Sequence, residues 1–377
     1  MNFHRRLVPS LSLARFDAAI IGAGPAGAAA ALALARAGAR VVIFEVRRAP
    51  VWKVGETLPP AVKPCLRALG HWAQFLGEGH RESRGNCSIW GDRELRHTDF
   101  IFNPDGSGWQ LDRPRFEQGL LSAAERAGAR VMLGQRVARL EAGGSRWRLQ
   151  AAAGTFESRW IVDASGRSGA VGRRLGNGRI RADGLVSVFH RARPGAAVAA
   201  DCRTWIEATP EGWWYSAPAA DGARVFAFQT DADLIREFGG RGRRVFEARM
   251  KPARAMRSLL EPGRTGVGEA PRLVAAHSAR ARRFAGTGWI AAGDAAMAFD
   301  PLSGSGILQA LRSGLLAAEA VARPREKGGA AYAELHEETW TRYLASLREC
   351  YGWERRWPDR PFWRRRISWV DRRPREP

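Results

Sequence analysis

Apolar residues along this chain occur in short runs at two spacings, and the alternation between them outlines its elements. Ala18 to Gly22 is a compact apolar run ending in glycine. Gly24 to Ala37 is alanine-rich with strong helix propensity, Gly38 stops it, and Val41 to Phe44 is β-branched and aromatic, so this stretch predicts strand, helix, strand. A Gly/Pro-bearing loop, Val51 to Pro60, leads to a mixed helical stretch, Val62 to Leu76. Arg115 to Ala127 carries Phe116, Leu120, Leu121 and Ala124 on one side of a helix that Gly128 ends. From Ala129 to Asp163 the period shortens to strands reading VMLG, RVARLEA, RWRLQAA and SRWIVDAS. Phe189 to Gln229 is again strand-like, with GWWYSAP (Gly212 to Pro218) and RVFAFQT. Gly288 to Ala292 reads as a strand, and Ser305 to Val321 as a helix. No internal repeat is present.

The first strand, helix, strand unit contains what a dinucleotide pyrophosphate requires. Gly22 makes the tight turn, Gly24 lets the backbone approach phosphate, and Gly27 lets the helix pack closely on the strand. With Pro25 and Ala26, these glycines place unpaired N–H groups and the positive end of a helix dipole at the anion. Glu45 closes the second strand roughly 20 residues on, where a carboxylate accepts hydrogen bonds from ribose hydroxyls. An acid there disfavours a 2′-phosphate, so FAD or NAD fits better than NADP. The competing readings are an alanine-rich buried helix with chance glycines and, because Ala18 to Ala35 is uncharged, a membrane span. The glycines and Pro25 at its start, and the lack of any other long apolar run, argue against a span.

A length of 377 residues with 45% hydrophobic content suits a globular fold of two intertwined domains. The net charge of +22 raises the question of nucleic acid. Only Lys53, Lys63, Lys251 and Lys327 are lysines, however, and the arginines are spread along the chain, so an acidic protein partner is the better expectation and nucleic acid is not expected. Cys65, Cys87, Cys202 and Cys350 form no Cys-x-x-Cys pair, which predicts neither a metal site nor a disulfide framework. Residues 1–16 read as no signal peptide, and a cytoplasmic location is expected.

Three further motifs now fall in order, and the chain resembles the FAD-dependent monooxygenases of the aromatic hydroxylase type and their relatives, the flavin-dependent tryptophan halogenases. The resemblance covers about residues 16 to 325 and is strongest in GWIAAGDAAMAFDPLSGSGI, Gly288 to Ile307. It implies that Asp294, after Gly293, touches the ribityl or pyrophosphate end of FAD, and that Pro301, Gly304 and Gly306 lie along the flavin ring. WIVDASGRSGAVGRR carries Asp163 but has Ala164 where the family has glycine, which sets direct NAD(P)H use against a separate flavin reductase as electron donor. Arg113 matches the family arginine ahead of a helix that leans on the cofactor, the alternative being a solvent-facing arginine. Val137, on the RVARLEA strand, is a further cofactor-binding candidate. The implied fold class is α/β: a Rossmann-like FAD-binding three-layer domain (16–50, 109–180, 278–325), an inserted mixed β-sheet substrate domain (51–108, 181–277) and a C-terminal helical region (326–377).

KVGETLPP resembles the glutamate loop of the halogenases, and GWWYSAP sits where they carry Trp-x-Trp-x-Ile-Pro. The catalytic lysine those enzymes carry downstream of the loop has no counterpart, since no lysine lies between Lys63 and Lys251. A closer resemblance is to flavoprotein maturases that oxygenate a tryptophan side chain of a partner protein during tryptophylquinone biogenesis. ERRWPDRPFWRRR (Glu354 to Arg366) suits docking on a protein, or alternatively a helix covering apolar surface. The resemblance implies hydroxylation of an indole or phenol-like ring through a flavin C4a-hydroperoxide. The alternatives are a halogenase-like enzyme, an isoprenoid-chain reductase of the geranylgeranyl reductase type, and a flavoprotein that only binds a partner. Because the hard chemistry belongs to the cofactor, little acid–base machinery is expected. Glu56, Thr57 and Pro301 are the catalytic candidates; Trp90, His190, Trp213, Trp214 and Tyr215 are the pocket candidates.

Overall fold

The structure, a computed structural model, describes residues 14–195, 198, 200–239, 242–260 and 270–371. The segment read as lacking a signal peptide lies almost wholly outside the described residues, as do the last residues of the tail.

The first strand extends further than its apolar run, over Ala14–Ile21, and leads through the glycine turn into the helix Pro25–Arg36 and the strand Val41–Glu45. These strands join a sheet ordered 285–286, Trp289–Ala291, Gly154–Asp163, Ala14–Ile21, Val41–Glu45, Arg130–Leu133. Ala14–Ile21 runs parallel to both Gly154–Asp163 and Val41–Glu45. Val41, Val42, Ile43 and Phe44 are all buried, as expected for a parallel strand covered on both faces. An antiparallel meander, Arg139–Gly143, Arg146–Ala151 and Gly154–Asp163, grows from the same sheet.

Beside this sheet the helix Pro25–Arg36 packs against two others, Arg113–Arg126 and Gly306–Ala322. Their closeness is written in small side chains. A Cβ on Gly314 would overlap the Ala26 carbonyl oxygen, and one on Gly27 would overlap that of Gly22.

The inserted layer is a seven-stranded sheet ordered Arg272–Ala275, Leu185–Ala192, Arg224–Asp231, Gly212–Pro218, Thr204–Thr209, Gly85–Ile89, Arg96–Asp99. It is mixed, because Thr204–Thr209 runs parallel to Gly85–Ile89 while its other neighbour is antiparallel. A small sheet, Thr57–Leu58, Gly108–Gln110 and Arg81–Ser83, bridges the two large ones. The stretch read as mixed helix, Val62 to Leu76, is two short helices, Val62–Ala68 and Trp72–Gly77, separated at Gly70, whose φ is +62°. The chain then closes with the long helix Arg325–Trp353 and the helix Pro361–Asp371. Among the described residues no helix is long and apolar enough to cross a membrane.

Candidate active site

The first glycine cradle is built as its motif requires. Gly22 has φ +108°, and a Cβ there would overlap the Ala164 carbonyl oxygen. At Gly24 a Cβ would meet nothing within 4 Å, so the space ahead of the helix is open. Gly24 is the N-cap of Pro25–Arg36 and supplies no side-chain cap, leaving the first helical N–H groups available for an anion. Glu45 Oε2 accepts the Ala23 N–H at 3.0 Å, fixing the carboxylate beside the turn. A crevice runs from there past Ala23, Glu45, Arg47, Lys53 and Glu117.

The second cradle lies beside the first. Gly293 has φ +59°, and a Cβ there would come within 2.7 Å of the Ala26 Cβ, at the start of the first helix. Gly304, φ +58°, and Gly306 face open space, and the helix Gly306–Ala322 begins without a side-chain cap. Pro301, Gly304 and Gly306 are exposed. Asp294 is part-exposed, with Arg167 Nε 3.6 Å from its carboxylate. Two uncapped helix starts, glycine-lined open space and a carboxylate placed for ribose fit an extended dinucleotide such as FAD. Bound there, FAD would be held by Gly22, Gly24, Glu45, Asp294 and the Pro301–Gly306 turn.

Other sequence candidates take different places. Asp163 points inward: its two oxygens accept hydrogen bonds from Ser165 N–H, Ser165 Oγ, Val171 N–H and Gly172 N–H, so its carboxylate fastens its own loop. Val137 is buried in the main core. Arg113 is buried rather than solvent-facing, donating to the Gly55 carbonyl at 2.6 Å and to Glu117 Oε1 at 2.6 Å, while Lys53 Nζ holds Glu117 Oε2 at 2.7 Å. Arg113 thereby braces the glutamate loop.

At the head of that loop Glu56 is 1% exposed. Its Oε2 accepts the Gly55 N–H at 3.0 Å, and its Oε1 has no hydrogen-bond partner. Burial pushes the carboxyl up to about 7, against the opposing pull of Arg113 and, more weakly, Arg191. Thr57 Oγ1 donates to Gln110 Oε1 at 2.9 Å and lies 2.7 Å from Tyr215 Oη. Gln110 Nε2 in turn donates to Thr204 Oγ1 at 3.2 Å. Glu56, Thr57, Gln110, Thr204 and Tyr215 thus gather where the bridging sheet meets the inserted sheet. Gln110 and Thr204 carry no sequence signal; only pairing of Thr57 with Gln110 across the bridging sheet brings them in.

Of the remaining pocket candidates, Trp90, Trp213 and Trp214 lie in packed layers, whereas His190 lines a cleft. Strand alternation sends Trp213 and Tyr215 to one face and Trp214 to the other. Trp214 packs in a separate core with Phe226, Phe228 and Phe246, and the His190 ring lies 5.8 Å from Phe246 on the same side. That face of the strand is opposite the one that carries Tyr215. Trp213, on the correct face, is fully buried and donates from Nε1 to Tyr351 Oη at 3.0 Å. Trp90 lies beside it, donating to the Cys350 carbonyl. Both belong to a layer covered by the C-terminal helices. The tail supplies that cover: Phe362 and Trp363 are fully buried, and Arg366 Nη2 pairs with Asp231 at 2.8 Å.

A cleft opens beside Arg191, whose charge acts on Glu56, and the sequence candidate His190 is part of its lining. Trp52, Phe189, Arg191, Asp221 and Arg272, which sequence reasoning missed, line it with His190, and the Arg191 guanidinium lies 5.0 Å from the Trp52 ring centre. Among the described residues no group of side chains could hold a metal ion.

Known proteins match this arrangement. The family model described as FAD binding domain matches residues 15–337. LodB of Marinomonas mediterranea, described as an FAD-dependent oxidoreductase, is 30% identical over 93% of this chain and 96% of its own length. A tryptophan 2-halogenase of Chondromyces crocatus is 26% identical, over 80% of this chain and 60% of that protein. The solved structure of CmlS, a flavin-dependent halogenase, superposes with a TM-score of 0.82 at 26% identity, covering 95% of this chain and 70% of the other. QhpG, a peptidyl tryptophan dihydroxylase essential for tryptophylquinone cofactor biogenesis, superposes with a TM-score of 0.70 at 25% identity, covering 97% and 81%. With its paired glycine cradles, the chain belongs to the FAD-binding family and is an FAD-dependent oxidoreductase of the halogenase and aromatic hydroxylase type.

Proposed function

We propose that the protein is an FAD-dependent monooxygenase that hydroxylates an electron-rich aromatic ring, with a tryptophan side chain presented by a partner protein as its substrate. The observation that carries this reading is the buried polar corner at Glu56: a carboxyl with one unpartnered oxygen, and hydroxyls from Thr57 and Tyr215. Such a corner offers hydrogen bonds and a proton to an oxygen-transfer reaction. The amine that a halogenase uses to carry oxidised halide is missing between Lys63 and Lys251. The nearby cleft is aromatic and charged, which suits a ring bearing polar groups better than an isoprenoid chain. Similarity to the peptidyl tryptophan dihydroxylase supports a protein-borne ring.

Reduced flavin, when bound, supplies the oxygen-activating chemistry. The residues divide the remaining work. Gly22, Gly24, Pro25, Ala26, Gly27, Glu45 and Asp294 hold the dinucleotide; Arg113 braces the loop; Pro301, Gly304 and Gly306 border the ring. Glu56 holds or yields a proton at its Oε1, and Thr57 and Tyr215 orient the substrate or an oxygen atom. In this reading residues 16–50, 109–180 and 278–325 form the cofactor domain, and 51–108 with 181–277 the substrate domain. One O₂ and two electrons from NAD(P)H, taken directly or through a flavin reductase, give hydroxylated ring plus water.

The test is to purify the protein with FAD, supply NAD(P)H or a flavin reductase, and follow oxygen uptake with indole, phenol and tryptophan-containing peptides. Gain of one oxygen atom by the ring is expected. A halogenated product on adding chloride or bromide, or reduction of an isoprenoid chain, would overturn the reading.

A further inference from the structure

Directly before the exposed Pro301 turn, Asp300 is buried and gripped by two tyrosines of a helix that no cofactor motif includes. Tyr351 Oη donates to Asp300 Oδ2 at 2.8 Å, and the Asp300 N–H donates to Tyr343 Oη at 2.7 Å. The other carboxylate oxygen, Oδ1, caps the turn by accepting the Leu302 N–H at 2.8 Å. Tyr343 and Tyr351 are eight residues apart on Arg325–Trp353, about two helical turns, so both face the same way. The Tyr343 ring also stacks edge-on against Phe299, 4.6 Å between centres, and its hydroxyl lies 2.6 Å from Ser278 Oγ. From the opposite direction Arg167 Nη2 donates to the Phe299 carbonyl at 3.2 Å.

Tyr351 is itself held on two further sides. Trp213, on the strand that also carries Tyr215, donates to its hydroxyl at 3.0 Å. The Arg366 guanidinium lies 5.1 Å from its ring centre, anchored by Asp231. A continuous chain of hydrogen bonds therefore runs from the inserted sheet, through Trp213 and Tyr351, to Asp300 and the Leu302 N–H of the turn.

We infer that Tyr351 and Tyr343 are positioning residues for the cofactor turn: through Asp300 the helix Arg325–Trp353 holds Pro301–Gly306 in place and joins it to the inserted sheet. The inference rests on the reading that this turn borders the flavin. Neither tyrosine touches the reacting atoms. Their effect on the cofactor passes through the shape of a turn whose backbone and helix start present N–H groups to it.

The experiment compares wild-type protein with Tyr351→Phe, Tyr343→Phe and the control His336→Leu, a buried residue on the same helix whose ring packs on Phe284 and Tyr332. FAD dissociation constant, flavin midpoint potential and melting temperature are measured on each. Both tyrosine variants are expected to weaken FAD roughly tenfold, the loss of a buried hydrogen bond, and to shift the midpoint potential. His336→Leu is expected to lower the melting temperature with affinity and potential unchanged. Unchanged affinity and potential in Tyr351→Phe overturn the inference; should that variant fail to fold, Tyr343→Phe decides it by the same criterion. Failure of wild-type protein to bind FAD would instead overturn the functional reading, so the two outcomes are separable.

Discussion

Glu56 is costly to keep where it is, and the cost has a definite sign with pH. Its carboxyl is fully buried and raised from 4.5 to about 7 by desolvation. Below 4.5 it is protonated in both folded and unfolded chains and costs nothing. As pH rises from 4.5 to about 7 the unfolded chain ionises while the folded one still holds its proton, so stability falls across that window. The fall amounts to about 3 kcal/mol, at about 1.4 kcal/mol for each tenfold difference in proton affinity between the two states. Glu56→Gln keeps an oxygen for the Gly55 N–H and removes the ionisation. Its melting temperature is expected to exceed that of wild type above about pH 7 and to match it near pH 4. Equal curves across that range would show that the carboxyl is not desolvated as its surroundings indicate. The same substitution is expected to lower turnover, because the unpartnered oxygen can then neither hold nor yield a proton. Increased stability with diminished activity is the signature of a group retained for chemistry.

Elements divide the glycines of one motif into two kinds. Gly22→Ala forces φ +108° on a residue with a Cβ and drives that Cβ into the Ala164 carbonyl, so it is expected to destabilise the fold by about 1–3 kcal/mol, read by urea unfolding. Gly24→Val meets open space within the protein and is expected to leave unfolding unchanged while weakening FAD binding roughly tenfold or more, since the side chain fills the room the pyrophosphate needs. Loss of stability in Gly24→Val, or intact FAD binding, would contradict that division. The C-terminal helix behaves as a structural element too. Arg366→Met leaves buried Asp231 paired with the more exposed Arg365 and is expected to cost about 3 kcal/mol, measured in the same urea titration. Sequence makes the glycine cradles readable because their spacing is itself the mechanism: three glycines, a helix and an acid act locally. It makes the neighbourhood of Glu56 only half readable. Tyr215 is legible, but Trp213 and Trp214 are adjacent on one strand and read as one pocket, although period two sends them to opposite faces. Gln110, Thr204 and Tyr351 are invisible in the sequence because their roles arise from contacts 53, 147 and 51 positions away, which no local pattern encodes.

At the scale of the whole molecule, 60 basic against 38 acidic residues give a field that favours acidic partners and penalises basic ones. Several of the arginines are spoken for internally: Arg113, Arg366 and Arg167 are bound to carboxylates or carbonyls. Others stand exposed, among them Arg364 at the C-terminal helix. Screening separates the two substrate classes of the proposed reaction, a protein-borne ring and a free one. Exposed charges interact over about 10 Å at 0.1 M salt and about 3 Å at 1 M, so a protein substrate held by long-range attraction responds to salt and a neutral ring does not. Oxidation of an acidic tryptophan-containing peptide is therefore expected to lose kcat/KM by roughly tenfold between about 0.05 M and 0.5 M sodium chloride, mainly through KM. Indole, measured side by side, is expected to hold its kcat/KM constant over the same range. A peptide of the same length with lysines in place of its acids should be the poorest substrate at low salt and improve as salt rises. If all three respond alike, salt acts on the enzyme or its cofactor, and the field plays no part in choosing the partner.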